Sequence, residues 1–348
     1  MNTRTITAEN LTKFLETVSK DARLIAPTRD GERVCFAPVE AVADIVPHTD
    51  YVNTRNSIKE FFFPPTEPLL AFERNERGFD LAEPPLGVPP TVIFGCRPCD
   101  ATSLTVMDPL YDWDYRDGFW FARRAATTVV AISCVRADES CFCTAVGGAP
   151  NSTTGSDILL TPLDEERFLA EILTEKGEAL AAKAPDLFAD GQGDKDEACK
   201  AALEVLPPAL DLDKITAWLA ENFENDRWAE LSWKCLGCGC CTFLCPTCHC
   251  FDIVDEGGYR TGVRRRNWDG CQFAWFTLHA SGHNPRPDQA ARWRQRVQHK
   301  FNYYVQKFGL RSCVGCGRCI RHCPVNMNIF AQLREFAARF GAASQRTK

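Results

Sequence analysis

The apolar positions near the start of the chain predict one amphipathic helix and one hairpin. Leu11, Phe14, Leu15 and Val18 recur at the i, i+3, i+4, i+7 spacing of a helix face, and Thr7 is placed to cap that helix. The segments RLIAP and RVCFAPV are separated by the turn residues TRDGE. Two strand-like segments joined by a short polar turn predict a β-hairpin.

Three later runs predict buried strands. TVIFGC (91–96), TTVVAISC (127–134) and ILLTPL are short and apolar, and the first two each end at a cysteine-containing loop. Apolar residues at helical spacing predict a helix from Glu165 to about Thr174. We expect the segment EFFFPPTEPLL to be a loop or an edge segment, because prolines cannot complete a hydrogen-bond ladder.

The second half of the chain begins after a change in composition. The segments ADGQGDKDEA and LPPAL are rich in Ala, Asp, Gly and Pro, and predict a linker over residues 181–211 that carries a short helix. Further helices are expected over residues 212–223 and 288–308. Pro287 is placed to start the second of these and Gly309 to end it.

The cysteine content narrows the class of protein. The 348 residues include 19 cysteines, with 45% apolar and 25% charged residues. Such a content is typical of disulfide scaffolds in small secreted chains, or of metal and cluster ligation in a reducing compartment. The length, the odd cysteine number and a start without an apolar signal region favour the second. Because no apolar run approaches the roughly 18 residues that span a bilayer, we expect a cytoplasmic protein.

Two four-cysteine runs carry the strongest signal. CLGCGCCTFLCP (235–246) and CVGCGRCIRHCP (313–324) both match C-x2-C-x2-C-x3-C-P, the spacing of bacterial two-cluster ferredoxins. The short gaps let one loop place three thiolates around a 4Fe-4S cube, and the fourth cysteine of each run ligates the other cluster. The predicted ligand sets are Cys235, Cys238, Cys241 and Cys323 for the first cluster, and Cys313, Cys316, Cys319 and Cys245 for the second.

Structural zinc is the alternative for these runs, although zinc sites commonly show two separated C-x2-C pairs. The 67 residues between Cys245 and Cys313 are too many for a compact ferredoxin hairpin, and a predicted helix fills part of them. This favours a helical type of two-cluster domain. We therefore expect an α+β fold, with an N-terminal mixed α/β domain (1–180), the linker, and a helical ferredoxin-like domain (212–348).

A basic insert at residues 260–311 lies within an acidic protein. Between Arg260 and Val325, thirteen Lys and Arg oppose Asp269 and Asp288, a balance of +11 that leaves −17 for the rest of a chain of net charge −6. Basic residues interleaved with aromatics are typical of nucleic-acid binding, so a redox sensor or nucleic-acid protein is one hypothesis. We favour cations that offset the negative charge of the clusters, or a face for an acidic partner.

Seven further residues of this half are of types that ligate metals. Because the eight assigned cysteines already complete both cubes, we expect the histidines to act in packing or hydrogen bonding. The spare cysteines are expected to be non-ligands, since buried cysteine often behaves as a small apolar residue. These residues are His279, His283 and His299, and Cys240, Cys248, Cys250 and Cys271.

Several segments together resemble one family: CPTCHCFDI, NWDGCQFAWFTLHASGHNPRP and HKFNYYVQKFGLRSCVGCGRCIRHCP in the second half, and IKEFFFPPTEPLLAF, FGCRPCDATSL and CFCTAVGGAP in the first. From about residue 30 to 340 the chain resembles a family of two-cluster electron-transfer subunits. The family is typified by the β subunit of soluble sulfhydrogenases, which are NAD(P)-linked NiFe hydrogenases, and by the corresponding iron–sulfur subunit of anaerobic sulfite reductase. Asn328 and Cys96 depart from the family pattern, which has an aspartate and an aliphatic residue there.

The resemblance implies a subunit rather than a stand-alone enzyme. In such complexes a flavoprotein subunit exchanges electrons with NAD(P)H. The β-like subunit passes them toward a terminal catalytic subunit of the NiFe hydrogenase or sulfite reductase type. The alternative is an enzyme that reduces a small substrate directly at a first-domain cluster or a bound flavin. The sequence offers no Ser/His/Asp set, GxGxxG motif or P-loop, so no catalytic residue is assigned.

The first domain carries cysteines that the ferredoxin runs do not explain. Cys99 follows one predicted strand and Cys134 ends another. If these strands are neighbours, both loops leave the sheet at one edge, together with Cys141 and Cys143. We therefore expect these four cysteines to hold a third 4Fe-4S cluster, with free thiols or zinc as the alternatives. Asp100 is expected to cap the helix that follows, and a role beside the cluster or as a ligand is its alternative.

Overall fold

The computed structural model describes residues 2–343, and it confirms the α+β class. Within these residues twelve strands form two sheets. They are β1 (Asn2–Thr7), β2 (Arg23–Asp30), β3 (Arg33–Pro38), β4 (Thr66–Asn75), β5 (Gly78–Ala82), β6 (Thr91–Cys96), β7 (Thr127–Ile132), β8 (Ile158–Pro162), β9 (Arg167–Ile172), β10 (Ala189–Asp190), β11 (Phe251–Gly257) and β12 (Thr261–Trp268). The last five residues of the predicted second domain, 344–348, lie outside the described residues.

Thirteen α-helices accompany these strands in the described part of the chain. They are α1 (Ala8–Val18), α2 (Pro98–Tyr111), α3 (Gly118–Ala126), α4 (Glu175–Ala181), α5 (Lys195–Ala198), α6 (Lys200–Val205), α7 (Leu212–Glu221), α8 (Arg227–Ser232), α9 (Cys240–Phe243), α10 (Gln289–Gln298), α11 (Tyr304–Phe308), α12 (Arg318–Arg321) and α13 (Ile329–Ala343). As predicted, Thr7 caps α1, its hydroxyl accepting from the Asn10 amide at 3.1 Å.

The larger sheet has the strand order β10-β1-β9-β8-β7-β6-β2-β3. Its centre is parallel, because β2 pairs with β6, β6 with β7, and β7 with β8 in that sense, whereas the remaining pairs are antiparallel. The predicted hairpin is present as β2 and β3. Since β6 and β7 are parallel neighbours, the loops that follow them leave the sheet at the same edge.

Helices cover both faces of this sheet. On one face α1 and α4 contribute Phe14 and Leu180 to a core that includes Val130 of β7. On the other face α2 and α3 contribute Met107 and Trp120. Central strands that are buried on both faces read as continuous apolar runs, which explains why β6, β7 and β8 were predictable from sequence.

Two sequence expectations are wrong. Residues 165–174 contain β9 (Arg167–Ile172) rather than a helix, because Phe168 to Ile172 are buried between β1 and β8, and this context overrides their helical spacing. In the segment EFFFPPTEPLL, residues 62–65 form no strand, as expected, but residues 66–70 begin β4, an inner strand of the smaller sheet rather than a loop or edge. The ladder accommodates Pro68 at the irregularity where the register of β12 shifts between Arg264 and Arg265.

The smaller sheet joins the two halves of the chain in the order β11-β12-β4-β5. It is anchored to the first half by Arg266, whose side chain is 7% exposed. Arg266 forms ion pairs with Glu67 and, at 2.5 Å, with Asp117 at the start of α3. Glu67 also pairs with Arg123 at 2.5 Å. The cluster of charges is therefore internally balanced.

Helices dominate the rest of the second half. Their core includes Trp218 of α7, Trp228 of α8, Trp293 of α10 and Phe336 of α13. The helix predicted over residues 212–223 corresponds to α7, and the one over 288–308 to α10, a π-helical turn at His299–Tyr303, and α11. In the predicted linker, β10 pairs with β1, and α5 and α6 follow it.

The charge cluster around Arg266 predicts a large stability effect. The substitution Arg266→Gln leaves Glu67 and Asp117 with less compensation in a buried environment, and should lower the free energy of unfolding by about 3 kcal/mol. Chemical denaturation of the full chain measures this. Arg264→Gln is the matched control on the same strand, because its pair with Asp255 is half exposed and its loss should barely move the midpoint. Equal effects of the two substitutions would contradict the prediction.

Candidate metal centres

The two four-cysteine runs fold into the same local structure. Each begins as a loop with two left-handed glycines, Gly237 and Gly239 in the first (φ 66° and 73°) and Gly315 and Gly317 in the second (φ 64° and 75°). Each loop then enters a four-residue helix, α9 or α12. Because glycine adopts this backbone conformation without steric cost, the shared glycines of the two runs follow from the shape of the loop.

Site 2 denotes the predicted ligand set Cys245, Cys313, Cys316 and Cys319. All four cysteines line one cavity of about 320 Å³. The structure thus brings the last cysteine of the first run to the first three of the second, which is the crossed arrangement that the sequence predicted. Single-metal sites draw their ligand atoms to about 2 Å from one point, whereas these cysteines surround a space.

Two buried cations lie at site 2. Lys300 donates to the Sγ of Cys245 at 3.3 Å and to the carbonyl of Ser312 at 2.6 Å. Arg296 donates to the carbonyl of Cys241 at 2.9 Å and to the Sγ of Cys248 at 3.4 Å. Both cations also line the cavity. They place positive charge beside thiols that carry negative charge when they ligate metal.

The charged forms of Lys300 and of the neighbouring cysteines stabilise each other. Burial alone would lower the pKa of Lys300, but the neighbouring Cys245 and Cys248 outweigh it and raise that pKa above its ordinary value. A hydrogen bond from the Cys248 thiol, aided by the charges of Lys300 and Arg296, holds the pKa of Cys245 well below its ordinary value. These contacts favour the thiolate form of Cys245, which is the form that binds metals.

Site 1 denotes Cys235, Cys238, Cys241 and Cys323. Gln289 donates to the Sγ of Cys235 at 3.1 Å, and the backbone N–H of Met327 donates to the Sγ of Cys323 at 3.2 Å. Cys238 and Cys323 are close enough to raise the pKa of Cys235, although its burial is the larger cause. Cys238 is exposed to solvent. Site 1 is thus more open than site 2, and two of its thiols accept hydrogen bonds.

Site 3 denotes Cys99, Cys134, Cys141 and Cys143. These cysteines reach one cavity of about 380 Å³, Cys99 from the first turn of α2, just after β6, and the other three from the loop that follows β7. Asn53 donates toward the Sγ of Cys99 at 3.7 Å. The cavity is similar in size to that of site 2. The juxtaposition expected from two neighbouring strands is therefore present in the structure.

The two other candidates in this region lie elsewhere. Cys96 is completely buried at the end of β6, in the core against α2, and does not line the site 3 cavity. The expectation that Asp100 caps a helix is wrong, because α2 already begins at Pro98 and the Asp100 carboxylate instead accepts two hydrogen bonds from Arg318. The substitute-ligand alternative for Asp100 stays untested.

The spare cysteines lie near the ligand sets without lining the cavities of sites 2 and 3. Cys240 donates to the carbonyl of His322 at 3.3 Å. Cys248 contacts Cys245, as described above. Cys250 and Cys271 are hydrogen-bonded to each other, and this contact is the largest cause of the lowered pKa of Cys271, about 5. Their assignment as non-ligands stays a prediction.

The three histidines make aromatic contacts. His299 packs edge-on against His249 and lies beside Tyr304, and burial lowers its pKa to about 4. His279 and His283 also pack edge-on against each other. Within residues 2–343, no group of three or more His, Cys, Asp or Glu side chains is arranged to hold a single metal ion.

Much of the positive charge of the basic insert is used inside the molecule. Arg264 and Arg265 pair with acidic residues of β11, and Arg294 pairs with Glu224. Lys300 and Arg296 lie among the cysteines. Only the last two agree with the interpretation that cations of the insert offset the charge of the clusters, because the acidic partners of the other three are at least half exposed.

The sequence reasoning missed the side chains that surround the thiols: Arg296, Lys300, Arg318 and Asn53. One signal was available. When the two runs are aligned, Arg318 stands where the first run has Cys240, so a charged residue occupies the interior of a buried motif. The other contacts join residues far apart in the chain, and no local pattern marks them.

Comparisons with known proteins agree with this geometry. Residues 234–327 match the family described as 4Fe-4S dicluster domain. The chain is 29% identical over 338 residues to sulfhydrogenase 2 subunit beta of Pyrococcus furiosus, covering 94% of this chain and 97% of that protein. No solved structure matches. No helix within residues 2–343 is long and apolar enough to cross a membrane. The resemblance inferred from the sequence is therefore confirmed: this chain matches the 4Fe-4S dicluster domain in its second half and is similar over nearly its whole length to a sulfhydrogenase β subunit.

Proposed function

We propose that this chain is an iron–sulfur electron-transfer subunit of an oxidoreductase complex. It relays electrons between two partners, a flavin- and NAD(P)H-linked reductase subunit on one side, and on the other a terminal catalytic subunit of the NiFe hydrogenase or sulfite reductase type. The similar protein is named as a subunit, which supports the existence of partner subunits. The identity of both partners and a cytoplasmic location are part of the proposal. We assign no catalytic residue to the chain itself.

One observation carries the proposal. Sites 2 and 3 are cavities of about 320 and 380 Å³. The first is lined by its four cysteines, and the second by its four cysteines together with Cys316 of site 2. Buried cations accompany the thiols, and left-handed glycines let the backbone pass close to them. This donor set suits 4Fe-4S clusters, which are bound by four thiolates and whose potentials respond to local charge and hydrogen bonds.

In this proposal each site has its own ligand set. Cys235, Cys238, Cys241 and Cys323 hold the first cluster, Cys313, Cys316, Cys319 and Cys245 the second, and Cys99, Cys134, Cys141 and Cys143 the third. When bound, the clusters supply one-electron oxidation and reduction. The chain fixes the positions of the thiolates, excludes water from sites 2 and 3, and sets the local charge through its buried Lys and Arg side chains.

A second candidate function is supported by a different cavity. An open cleft adjoins sites 2 and 3, and Cys99, Cys143 and Cys313 lie in its wall beside Gly147 and Arg311. A flavin or a small substrate bound there would lie against two cysteine sites, so direct reduction by this chain is the alternative. Turnover of NADH or sulfite by the purified chain alone would favour this alternative over the relay.

Iron content tests the number of clusters. The chain, purified anaerobically and reconstituted with iron and sulfide, should hold about twelve irons, four for each cube. The variant Cys141→Ala removes one ligand of site 3 and should hold about eight. Colorimetric iron and sulfide assays with EPR spectroscopy measure this. Cys240→Ala is the control and should keep the full content. A Cys141→Ala variant with undiminished iron would exclude the proposed third ligand set.

The buried cation at site 2 predicts a shift in reduction potential. Lys300→Met removes a positive charge next to Cys245 and makes reduction less favourable. We expect a lowering on the order of 50 mV, about a tenfold change in the ratio of reduced to oxidised cluster. An EPR-monitored redox titration measures the change. Lys307→Met, in the following helix and exposed, is the control and should leave the potential unchanged. An unaltered potential in a Lys300→Met variant with full iron would contradict this role.

A further inference from the structure

A buried ion pair joins the two halves of the chain between sites 2 and 3. Arg318 is the first residue of α12, and Asp100 lies in the first turn of α2. Their guanidinium and carboxylate groups form two parallel hydrogen bonds of 2.8 and 2.9 Å, and both side chains are 0% exposed. A bidentate pair of this kind fixes the relative orientation of its two partners.

The rest of the guanidinium is also satisfied. Its Nε donates to the carbonyl of Thr54 at 2.9 Å, and its Nη2 donates to the Thr54 hydroxyl at 3.0 Å and to the Asn53 Oδ1 at 2.5 Å. Asn53 in turn donates to the carbonyl of Cys316 at 3.4 Å and toward the Sγ of Cys99 at 3.7 Å. The network therefore touches a cysteine of each site. It is complete enough to hold one geometry.

Sites 2 and 3 meet directly at this network. Cys316 lines both cavities, so they share a wall. The amide of Phe142 donates to the carbonyl of Gly315 at 2.9 Å. A Cβ placed on Gly315 would lie 2.5 Å from the backbone of Cys143. The cysteine loop of the first half is thus packed against the second ferredoxin-type loop at backbone contact distance.

The charge of Arg318 acts on both cysteine sites. Its guanidinium is fully buried, and it holds Asn53, which contacts both Cys316 of site 2 and Cys99 of site 3. Because opposite charges attract, Arg318 favours negative charge on thiolates of both sites. The negative charge of Asp100 lies at the same position and disfavours negative charge on these thiolates. The net electrostatic effect on the two sites therefore depends on both members of the ion pair.

From this geometry we propose that Arg318 is a positioning residue that, together with Asp100, holds sites 2 and 3 in direct contact. The same pair sets the reduction potential of both sites, and electrons pass directly between them. The inference rests on the proposed function, since it requires a cluster at each site. In the exchange one electron leaves one site and enters the other, and no bond forms and no proton moves. Site 2, which takes Cys245 from the first run, then lies between site 3 and site 1.

A purely structural role of the ion pair and a role in setting the reduction potential predict different results. If the pair only supports folding, Arg318→Gln and Asp100→Asn each remove half of it and should act in the same direction. If its charges act on the clusters, losing the cation makes reduction harder and losing the anion makes it easier. The sign of the shift therefore separates the two roles.

The experiment uses the full chain, reconstituted anaerobically, and EPR-monitored redox titration with iron quantitation and thermal unfolding. At a fixed potential, Arg318→Gln should lower the ratio of reduced to oxidised cluster about tenfold at sites 2 and 3, and Asp100→Asn should raise it by a similar factor. The double variant should return near the wild-type ratio. A Cys141→Ala background removes the signal of site 3, and of the two signals that remain, the one that Lys300→Met shifts belongs to site 2.

Two further variants guard against misfolding and non-specific effects. Arg318→Lys keeps the charge and should keep the potentials while losing thermal stability. Arg29→Gln breaks an exposed pair with Asp50 and should change neither quantity. Shifts of the reduction potential with the same sign in Arg318→Gln and Asp100→Asn, or no shift at full iron content, would overturn the proposed role of Arg318. The proposed function would stand. About eight irons in the wild-type chain would instead remove the third cluster and the shared role with it.

Discussion

Burying many thiols that must act as thiolates is the constraint on which the structure depends. A buried negative charge is costly unless a partner compensates it. In this chain the compensation comes from side chains that are themselves buried, namely Lys300, Arg296 and Arg318. Each buried cation stabilises the nearby thiolates and is stabilised by them in turn. The cysteines and the basic residues of the second half therefore form one electrostatic unit, and the insert that carries Lys300 and Arg296 belongs to it.

The contact between the two cysteine loops follows from the same requirement. Gly317, like Gly315, lies against backbone, because a Cβ there would come within 2.4 Å of the carbonyl of Ser140. Any larger residue would separate the loops and let water in between sites 2 and 3. Glycine is thus required here for two reasons: it adopts the left-handed backbone conformation without steric cost, and its lack of a side chain permits the close approach of the two loops. The loop geometry that ligation needs is also the geometry that lets the two halves of the chain close on one another.

Local patterns in the sequence predicted the features that depend on local structure. The spacing of the four-cysteine runs, the cap at Thr7 and the buried strands were all readable, because each rests on a few neighbouring residues. The helix expected over residues 165–174 was wrong, since that segment is enclosed by two strands and its burial decides its conformation. The Asp100–Arg318 pair was invisible because it spans 218 residues of sequence. Polar contacts between residues far apart in the chain produce no periodic pattern in the sequence. Most of the contacts around the thiols are of this kind.

In the proposed relay, the two outer sites are both accessible from outside the molecule. Site 1 opens to solvent through Cys238, next to Leu236, which is 66% exposed. Site 3 borders the open cleft that also touches Cys313. Site 2 packs against Lys300 and the two glycine-containing loops, and of its four cysteines only Cys313 lies in the wall of the cleft. An arrangement with two accessible ends has room for two partners at once. A stand-alone reductase would need only one such opening.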